Sequence, residues 1–451
     1  MRNLNRIVVV VPDCGEGGLF QFYNKLLPEL ALHADVHAVF ASPYHTSSAP
    51  SIPGATCHFI PAEAAAPLRS EIGRGVLSLA PDIANAVAVA YRAWDVVQAL
   101  EPDIVEVCDW PFSFVPAVLE QSVPYLVQCH GSAGQIARHD PQQGHAASDL
   151  LAQLLEPQLL AVAHRVQTYS EANAHYWLTE TRREINVIRP AFPLSEVPKS
   201  EQRAPGSPAV FGRLQRWKGP HTLCEALRLL GPDALEVNWY GSVKPWGTRG
   251  ITAAQYLRSV FPEIWGEKFI HHPAISRTEV SKIQAQARFI IVPSTWDVFN
   301  FTAVEAMSSA RPLMISTGAG ASELIVDGEN GFTFANEDPD SLATAMDRVL
   351  SMSRHRLREV GMAGRETVRT ALDPRRVSEE RLAAYQEAVN SFSLHPPRRP
   401  SSALSDIFDP RISQTIGIDE LLGALPLKSI GRHVSDRLLQ KVRSRLGLRR
   451  A

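Results

Sequence analysis

Short, continuously apolar runs alternate with helix-length segments along this chain, and the alternation occurs twice. Runs of this kind are typical of strands that are buried on both faces of a parallel sheet. In the first half they cover residues 7–11, 36–41, 104–108, 125–129 and 166–169, with helical patterns at about 18–33, 83–100 and 150–163 between them. This order predicts a doubly wound α/β domain with a parallel sheet.

A proline-rich stretch separates the first series of runs from a second one. Prolines punctuate residues 190–208, which predicts an interdomain linker at 191–208. Beyond it the apolar runs return at 209–212, 235–240, 269–271, 289–292 and 312–316. The chain has 451 residues, 45% of them apolar, which is enough to form two cores. We therefore predict one domain over residues 1–190 and a second over 209–374.

The composition argues against several classes of partner and location. A net charge of −2 provides no global field toward nucleic acid or a membrane. The five cysteines are scattered without a CxxC pair, which predicts buried thiols in a reducing compartment. The N-terminal apolar stretch is short for a signal peptide, and no run reaches the ~18 residues of a membrane-spanning helix. These features predict a soluble, cytoplasmic protein that does not bind nucleic acid.

Two carboxylates lie at the junction between the run at 289–292 and the helical pattern at 301–310. The run ends at a Pro-Ser turn, and Asp297 lies in the loop that follows. Asn300 can cap the next helix, and Glu305 lies within that helix. Open α/β sheets bind their ligands at this carboxyl edge. Asp297 and Glu305 are therefore placed to accept hydrogen bonds from hydroxyls of one polyhydroxylated ligand.

Two cations follow the first apolar run of the second series. The segment from Gly212 to Gly219, with the sequence GRLQRWKG, carries Arg213 and Lys218 just before a helix that begins near Pro220. The planar fork of arginine and the point charge of lysine suit a diphosphate. Taken alone, the segment is equally compatible with two exposed cations in a loop.

Glycine-containing loops follow two other runs. Gly17 and Gly18 lie after the opening run, and Gly318 and Gly320 lie after the run at 312–316. Such glycines can allow backbone amides to approach a phosphate or a sugar. The first loop lacks the third glycine of a dinucleotide-binding fingerprint, so it predicts no dinucleotide site.

Two polar residues end strand-like runs in the first domain. His130 follows the run at 125–129, where a lone histidine has either a structural or a catalytic role. Asp109 follows the run at 104–108, where it either contacts an acceptor or caps the chain.

The order of these elements resembles the retaining GT-B glycosyltransferases of family four, the glycosyl transferases group 1. All the defining letters of the family's Gly-Arg-Leu-x-x-x-Lys-Gly element are present at 212–219, and Phe299 and Glu305-Ala306-Met307 match its acid segment. Asp297 stands where the family usually has glutamate, and Asn300 where it usually has glycine.

The resemblance extends from about residue 7 to 392 and implies the GT-B fold. In that fold two Rossmann-like, doubly wound α/β domains face each other across a cleft. The last helix, here 375–392, crosses back to the first domain, and the tail at 393–451 lies outside the resemblance.

The resemblance also implies an activity: transfer of a hexose-type sugar from a nucleotide diphosphate sugar, with retention at the anomeric carbon and without a metal. The residues it implies are Arg213 and Lys218 for the diphosphate, Glu305 for the ribose hydroxyls, Asp297 for a sugar ring hydroxyl, His130 for sugar contact and transition-state support, and Gly17, Gly18, Gly318 and Gly320 for the nucleotide sugar. The acceptor stays open among a polysaccharide, a glycolipid and a small molecule.

Two other functions remain open from the sequence. The departures at Asp297 and Asn300 are also compatible with a catalytically weakened GT-B protein that binds nucleotide sugars or acts as a scaffold. A sugar-nucleotide epimerase can use the same fold, although no motif of such an enzyme is present.

The tail carries a basic amphipathic pattern at 433–450. Its apolar residues Leu438, Leu439, Val442 and Leu446 fall on one helical face, and the basic residues lie mostly elsewhere. This pattern is compatible with peripheral contact to the inner face of a membrane, with binding to a partner, or with packing on its own protein.

Overall fold

The computed structural model of this protein describes most of the chain. The described residues are 4–12, 17–43, 50–141, 144–194, 206–412, 415–427, 430–431, 434–435, 438 and 442. Within them, the two series of apolar runs form two separate parallel sheets.

Seven strands of the described chain form the first sheet. They are β1 (Arg6–Val11), β2 (Asp35–Phe40), β3 (Ala55–Phe59), β4 (Ile104–Cys108), β5 (Tyr125–Gln128), β6 (Arg165–Thr168) and β7 (Asn186–Val187). Their order is β3-β2-β1-β4-β5-β6-β7, and every neighbouring pair is parallel. The direction of strand addition reverses between β1 and β4, which opens a crevice at their carboxyl ends.

Six described strands form the second sheet. They are β8 (Ala209–Phe211), β9 (Val237–Tyr240), β10 (Phe269–His272), β11 (Ile290–Val292), β12 (Leu313–Ser316) and β13 (Phe332–Phe334). The order is β10-β9-β8-β11-β12-β13, again with parallel neighbours. Here the reversal lies between β8 and β11, so the loops after these two strands meet at the sheet edge. The prediction of two doubly wound α/β domains is confirmed.

Helices cover both faces of the sheets. They are α1 (Gly18–Leu30), α2 (Ala66–Ile72), α3 (Pro81–Ala99), α4 (Val115–Glu120), α5 (Ala133–His139), α6 (Ala146–Val162), α7 (Glu171–Thr181), α8 (Pro220–Leu230), α9 (Ala253–Val260), α10 (Arg277–Gln286), α11 (Phe301–Ser308), α12 (Pro339–Ser351), α13 (Arg354–Ala371), α14 (Pro374–Leu394), α15 (Ser402–Phe408) and α16 (Ile418–Ala424). Short 3₁₀ helices lie at Ala62–Ala65, Gly75–Leu79, Arg216–Lys218, Gly231–Asp233 and Gly320–Leu324.

The last long helix, α14, covers the region expected to cross back and packs against α1, β4 and β5 of the first domain. Its Arg381 side chain is fully buried and donates to Glu106 Oε2 at 2.5 Å and to Gln128 Oε1 at 2.6 Å. Tyr385, one helical turn later, donates to the same Glu106 oxygen at 2.5 Å. Removing one member of a buried ion pair strands a charge in a medium of low polarity, so these contacts fix α14 on the first sheet.

The expected linker is partly a core segment. Ala191 and Phe192 are buried, and the Phe192 amide donates to the Leu372 carbonyl at 2.8 Å, at the end of α13. The apolar side chain of Phe192 explains the difference, because it packs beneath Lys25 of α1. Residues 195–205 of the predicted linker lie outside the described residues.

Part of the tail belongs to the first domain. Leu404 and Phe408 of α15 and Leu421 of α16 are buried in its core, and the Val76 amide donates to the Ile416 carbonyl at 2.8 Å. Further along, the described residues of the predicted basic helix are exposed, with Val434 at 50%, Leu438 at 59% and Val442 at 49%. No helix in the described part of the chain combines the length and the hydropathy that a membrane crossing requires.

Candidate active site

The cation loop and the acid loop of the second domain are in contact. After β8 the chain forms the 3₁₀ helix Arg216–Lys218 and then Gly219, at φ +75°. A Cβ atom on Gly219 would lie 1.7 Å from the Pro293 carbonyl oxygen, so only glycine allows this approach. The Thr295 amide donates to the Trp217 carbonyl at 2.8 Å. These backbone contacts bring the side chains that follow, Lys218 and Asp297, to one place.

Lys218 and Asp297 form an ion pair at the carboxyl edge of the second sheet. The Lys218 Nζ atom lies 2.8 Å from both Asp297 carboxylate oxygens, and both side chains are largely shielded from solvent. Asn300 adds a hydrogen bond from Nδ2 to Asp297 Oδ2 at 2.7 Å. Arg213 lies at the same edge, where burial lowers the pKa of its guanidinium group and the nearby negative charge of Asp297 acts in the opposite direction. The structure thus brings three of the predicted site residues together.

Glu305 lies on α11, where it faces the first domain. Burial raises the pKa of its carboxyl group, while the positive charges of Lys25 and Arg277 act in the opposite direction. Lys25 belongs to α1, and its Nζ atom lies 3.5 Å from the centroid of the Phe192 ring. Burial lowers the pKa of Lys25 to about 8, against the attraction of Glu305. Sequence analysis missed Lys25, because a lysine within an amphipathic helix carries no local sign of a partner in the other domain.

His130 is held between two tyrosines. Tyr23 OH donates its only proton to Glu106 Oε1 at 2.9 Å and lies 3.1 Å from His130 Nε2, so the tyrosine oxygen must accept from Nε2–H. His130 Nδ1 then accepts from Tyr169 OH at 2.6 Å. This assigns the Nε2–H tautomer. Burial and the charge of Arg381 lower the pKa of His130 well below its usual value, so the ring is neutral.

These two hydrogen bonds limit the part that His130 can take in proton transfer. Since both ring nitrogens already have partners, the imidazole has no spare lone pair to take a proton from an acceptor in this conformation. Its contact with the donor sugar stays a prediction.

Two buried carboxylates support the loop that follows His130. Asp109 accepts from the amides of His130 at 2.9 Å and of Gly131 at 3.2 Å. Glu156 accepts from Ser132 Oγ at 2.5 Å and from the Gly134 amide at 2.9 Å. Burial raises the pKa of Asp109 to about 7 and that of Glu156 to about 8. Of the two roles left open for Asp109, the capping role is the one observed.

Gly318 and Gly320 of the second glycine loop allow its backbone to pack closely against the loop that carries Asp297. A Cβ on Gly320 would lie 2.2 Å from the Val298 carbonyl oxygen. In this conformation the Gly320 N–H donates to the Asp297 carbonyl, and the Gly318 N–H donates to Ser316 Oγ. The glycines thereby fix the backbone of Asp297, and a contact with the nucleotide sugar stays a prediction.

The first glycine loop lies across from the acid helix. Gly17 is the N-cap of α1, and a Cβ on Gly18 would lie 3.8 Å from the Phe301 ring of α11. Residues 13–16 of the same loop lie outside the described residues. The predicted contact of Gly17 and Gly18 with the donor is therefore located at the interface between the domains.

The two domains are closed against each other at this site. Trp296 is stacked between Trp217 of its own domain, at 4.8 Å between ring centroids, and His139 of the first domain, at 4.5 Å. Ser170 Oγ of the first domain donates to the Val298 carbonyl at 2.7 Å. Glu323 accepts from two amides at the start of α7 at 2.9 and 3.0 Å. Two of these contacts, through Trp296 and Val298, involve the chain neighbours of Asp297.

Comparison with known proteins agrees with this architecture. Residues 208–352 match the family described as Glycosyl transferases group 1. The glycogen synthase of Mycobacterium tuberculosis (strain ATCC 25618 / H37Rv) is 26% identical over 325 residues, which cover 68% of this chain and 73% of that protein.

Solved structures show the same fold at low sequence identity. Sucrose-phosphate synthase from Thermosynechococcus elongatus superposes with a TM-score of 0.65 at 18% identity, covering 86% of this chain and all of that one. HepE from Anabaena in complex with UDP-glucose superposes with a TM-score of 0.59 at 15% identity, covering 85% of this chain and 99% of that one. The two facing parallel sheets are therefore the GT-B fold.

The raised pKa of Glu156 predicts a pH-dependent stability. Because its folded-state pKa of about 8 lies above the usual value for glutamate, this contribution to the free energy of unfolding is full below about pH 4 and is lost as the pH rises through 8. Glu156→Gln has no proton to lose. Its free energy of unfolding should fall less steeply between pH 5 and 8, by up to about 1.4 kcal/mol per pH unit.

Urea denaturation at pH 5.5, 7 and 8.5 measures this difference. Glu267→Gln, which changes an exposed acid of the second domain, should keep the wild-type dependence of the free energy of unfolding on pH. Equal slopes for Glu156→Gln and wild type would contradict the assignment of the raised pKa.

Proposed function

We propose that this chain, a glycosyltransferase of the glycosyl transferases group 1 with the GT-B fold, transfers a hexose-type sugar from a nucleotide diphosphate sugar with retention at the anomeric carbon and without a metal. One observation carries the proposal. The Lys218–Asp297 ion pair joins the loop suited to a diphosphate to the loop suited to a sugar, at 2.8 Å. A nucleotide diphosphate sugar has these two parts adjacent in one molecule.

The donor would lie along the carboxyl edge of the second sheet. Arg213 and Lys218 would bind the diphosphate, Glu305 would accept from the ribose hydroxyls, and Asp297 would accept from a ring hydroxyl of the sugar. The structurally similar HepE is described in complex with UDP-glucose, which supports a donor of this class.

The chemistry requires stabilisation of a leaving diphosphate. When the bond from the anomeric carbon to the phosphate oxygen breaks, its electron pair leaves with the diphosphate, and Arg213 and Lys218 are the preorganised positive charges at that edge. The acceptor hydroxyl oxygen then bonds to the anomeric carbon on the same face, and the proton of that hydroxyl passes to the oxygen of the departing diphosphate. These two cations supply the charge that a metal would otherwise supply, which is the basis for proposing metal independence.

The first domain would complete the site. His130, neutral and fixed between Tyr23 and Tyr169, would support the donor sugar by position rather than by proton transfer. Closure of the two domains around Trp296 would exclude water and so protect the donor from hydrolysis. The acceptor would be a carbohydrate, lipid-linked or small-molecule hydroxyl.

A panel of UDP-, GDP-, ADP- and TDP-sugars, scored for protein-dependent release of the free diphosphate without added metal, tests the proposal. We expect release from one donor, increased by the acceptor and reduced at least about a hundredfold in Glu305→Ala, because a polar site left unpaired discriminates strongly. Glu329→Ala, an exposed acid in a turn of the same domain, is the matched control and should keep wild-type activity.

Other outcomes separate the alternatives. An epimerised nucleotide sugar with no diphosphate release would identify a sugar-nucleotide epimerase. A binding or scaffold protein would be indicated by a donor that raises Tm, yields no free diphosphate with any acceptor and is not epimerised. If no donor releases a diphosphate and no donor shifts Tm, the result would contradict a nucleotide-sugar site.

We also infer that the end of the chain contacts an anionic membrane surface. Residues 426–451 contain eight Lys and Arg residues against one Asp. Val434, Leu438 and Val442, spaced by four residues along one helical face, are about half exposed. A basic helix with an exposed apolar face is typical of binding at the interface of anionic lipid. Such contact would bring the enzyme to a lipid-linked acceptor.

Vesicle co-sedimentation tests this association. Wild type should sediment with vesicles that contain anionic phospholipid at low salt, and much less with zwitterionic vesicles. Leu438→Asp should lose the binding, whereas Leu229→Asp, at a residue of the second domain that is 54% exposed, should keep it. Absence of wild-type sedimentation with anionic vesicles would contradict the association.

A further inference from the structure

The two positions at which the acid segment departs from the family pattern are in direct contact. Asp297 stands in place of a glutamate and Asn300 in place of a glycine, and Asn300 Nδ2 donates to Asp297 Oδ2 at 2.7 Å. Each departure alone alters one side chain at the sheet edge. Their contact indicates that they work as a pair.

The orientation of the Asn300 amide is fixed by its other contacts. Asn300 is the N-cap of α11, and its side-chain oxygen accepts from the Ala303 amide at 3.1 Å. The nitrogen of the same amide must therefore point the other way, toward Asp297 and, at 3.4 Å, toward Ser294 Oγ. The donor to Asp297 is thus assigned by the hydrogen-bond network.

The backbone conformation of Asn300 is costly for a residue with a side chain. Asn300 has a φ of +92° and a ψ of +95°, and L-residues rarely adopt a φ in this range. A glycine, which has no Cβ, would adopt this backbone at a lower cost. An asparagine retained here keeps the strain and gains a helix cap and a hydrogen bond to Asp297.

The acceptor capacity of Asp297 is divided by these contacts. Oδ2 accepts from Asn300 and Lys218, whereas, among the residues that the structure describes, Oδ1 accepts from Lys218 alone. When a diphosphate draws Lys218 away, Oδ2 remains held by Asn300 and Oδ1 becomes free for a sugar hydroxyl. A glutamate at position 297, one methylene longer, would extend its carboxylate into the space that the Asn300 amide occupies.

We propose that Asn300 is a positioning residue that holds Oδ2 of Asp297, so that Oδ1 is presented to one hydroxyl of the donor sugar. Together the pair sets which sugar the enzyme accepts. The inference rests on the proposed function, since it assigns Asp297 to the sugar of a nucleotide sugar.

Four variants separate this role from helix capping. Asn300→Asp keeps a capping oxygen and a side chain tolerant of positive φ, but it replaces the donor to Asp297 by a like charge. Asn300→Gly keeps the backbone and removes the donor. Asp297→Glu tests the longer acid beside Asn300, and the double change Asp297→Glu with Asn300→Gly restores the family's pair.

Binding of the free nucleoside diphosphate and of the nucleotide sugar is measured for each variant by calorimetry, with kcat and KM where there is turnover. Loss of a hydrogen bond to a charged group should weaken nucleotide-sugar binding about ten- to a hundredfold in Asn300→Gly and Asp297→Glu, with free diphosphate affinity changed less than about threefold. The double variant should recover at least about tenfold over Asp297→Glu. Its preference among the donor sugars should differ from that of wild type.

The outcomes distinguish this inference from the function on which it rests. Wild-type nucleotide-sugar binding in both Asn300→Gly and Asn300→Asp, or losses that simply add in the double variant, would overturn the pairing while leaving the glycosyltransferase proposal intact. Weaker nucleotide-sugar binding in Asn300→Gly together with wild-type binding in Asn300→Asp would also overturn it, because Asn300→Asp keeps the helix cap and capping alone would then explain the effect. A wild type that binds no nucleotide sugar would instead overturn the proposed function and, with it, this inference.

Discussion

The ion pair between Lys218 and Asp297 is the contact on which the candidate active site depends. The pair forms because the loops after β8 and β11 of the second domain come into backbone contact. Gly219 permits this contact, since it has no side chain. In the closed protein the pair neutralises two largely shielded charges that would be costly to leave alone. A nucleotide diphosphate sugar can satisfy both charges separately, the lysine with phosphate oxygens and the aspartate with a hydroxyl. We therefore regard the pair as a contact that donor binding replaces.

The first domain meets this pair with a preorganised surface. The Glu106–Arg381 ion pair links α14 to the first sheet, and Glu106 in turn fixes Tyr23 and hence the tautomer of His130. The chain enters α14 directly from the second domain. The buried network of Arg381, Glu106 and Tyr23 therefore connects the end of the second domain to His130 at the cleft. The loop after His130 is anchored separately by Asp109 and Glu156, so its backbone position does not depend on a ligand.

The sequence predicts the parts of this molecule that have strong local signals. Continuously apolar runs locate the central strands, and Arg213, Lys218 and Asp297 fall together because loops after neighbouring parallel strands share one sheet edge. The strands β3, β7 and β13 are missed, since each lies at the edge of its sheet and is not continuously buried.

Other features depend on contacts between distant parts of the chain. Glu156 lies within a helix that gives no sign of the Ser132 hydroxyl it accepts from, and Phe192 looks like a linker residue until α13 and α1 pack around it. The hydrogen bond between Asp297 and Asn300 is also invisible in the sequence, because it requires the positive φ of Asn300. Long-range packing decides each of these cases.

Calorimetric titration of wild type, Lys218→Met and Asp297→Asn with the nucleoside diphosphate that wild type binds, among UDP, GDP, ADP and TDP, tests the central claim most directly. If the diphosphate replaces Asp297 as the partner of Lys218, Lys218→Met should weaken its binding. Asp297→Asn should strengthen that binding, because it frees the lysine and removes a negative charge, while it weakens binding of the nucleotide sugar relative to the diphosphate. Weaker binding of the free diphosphate to Asp297→Asn than to wild type would contradict the account.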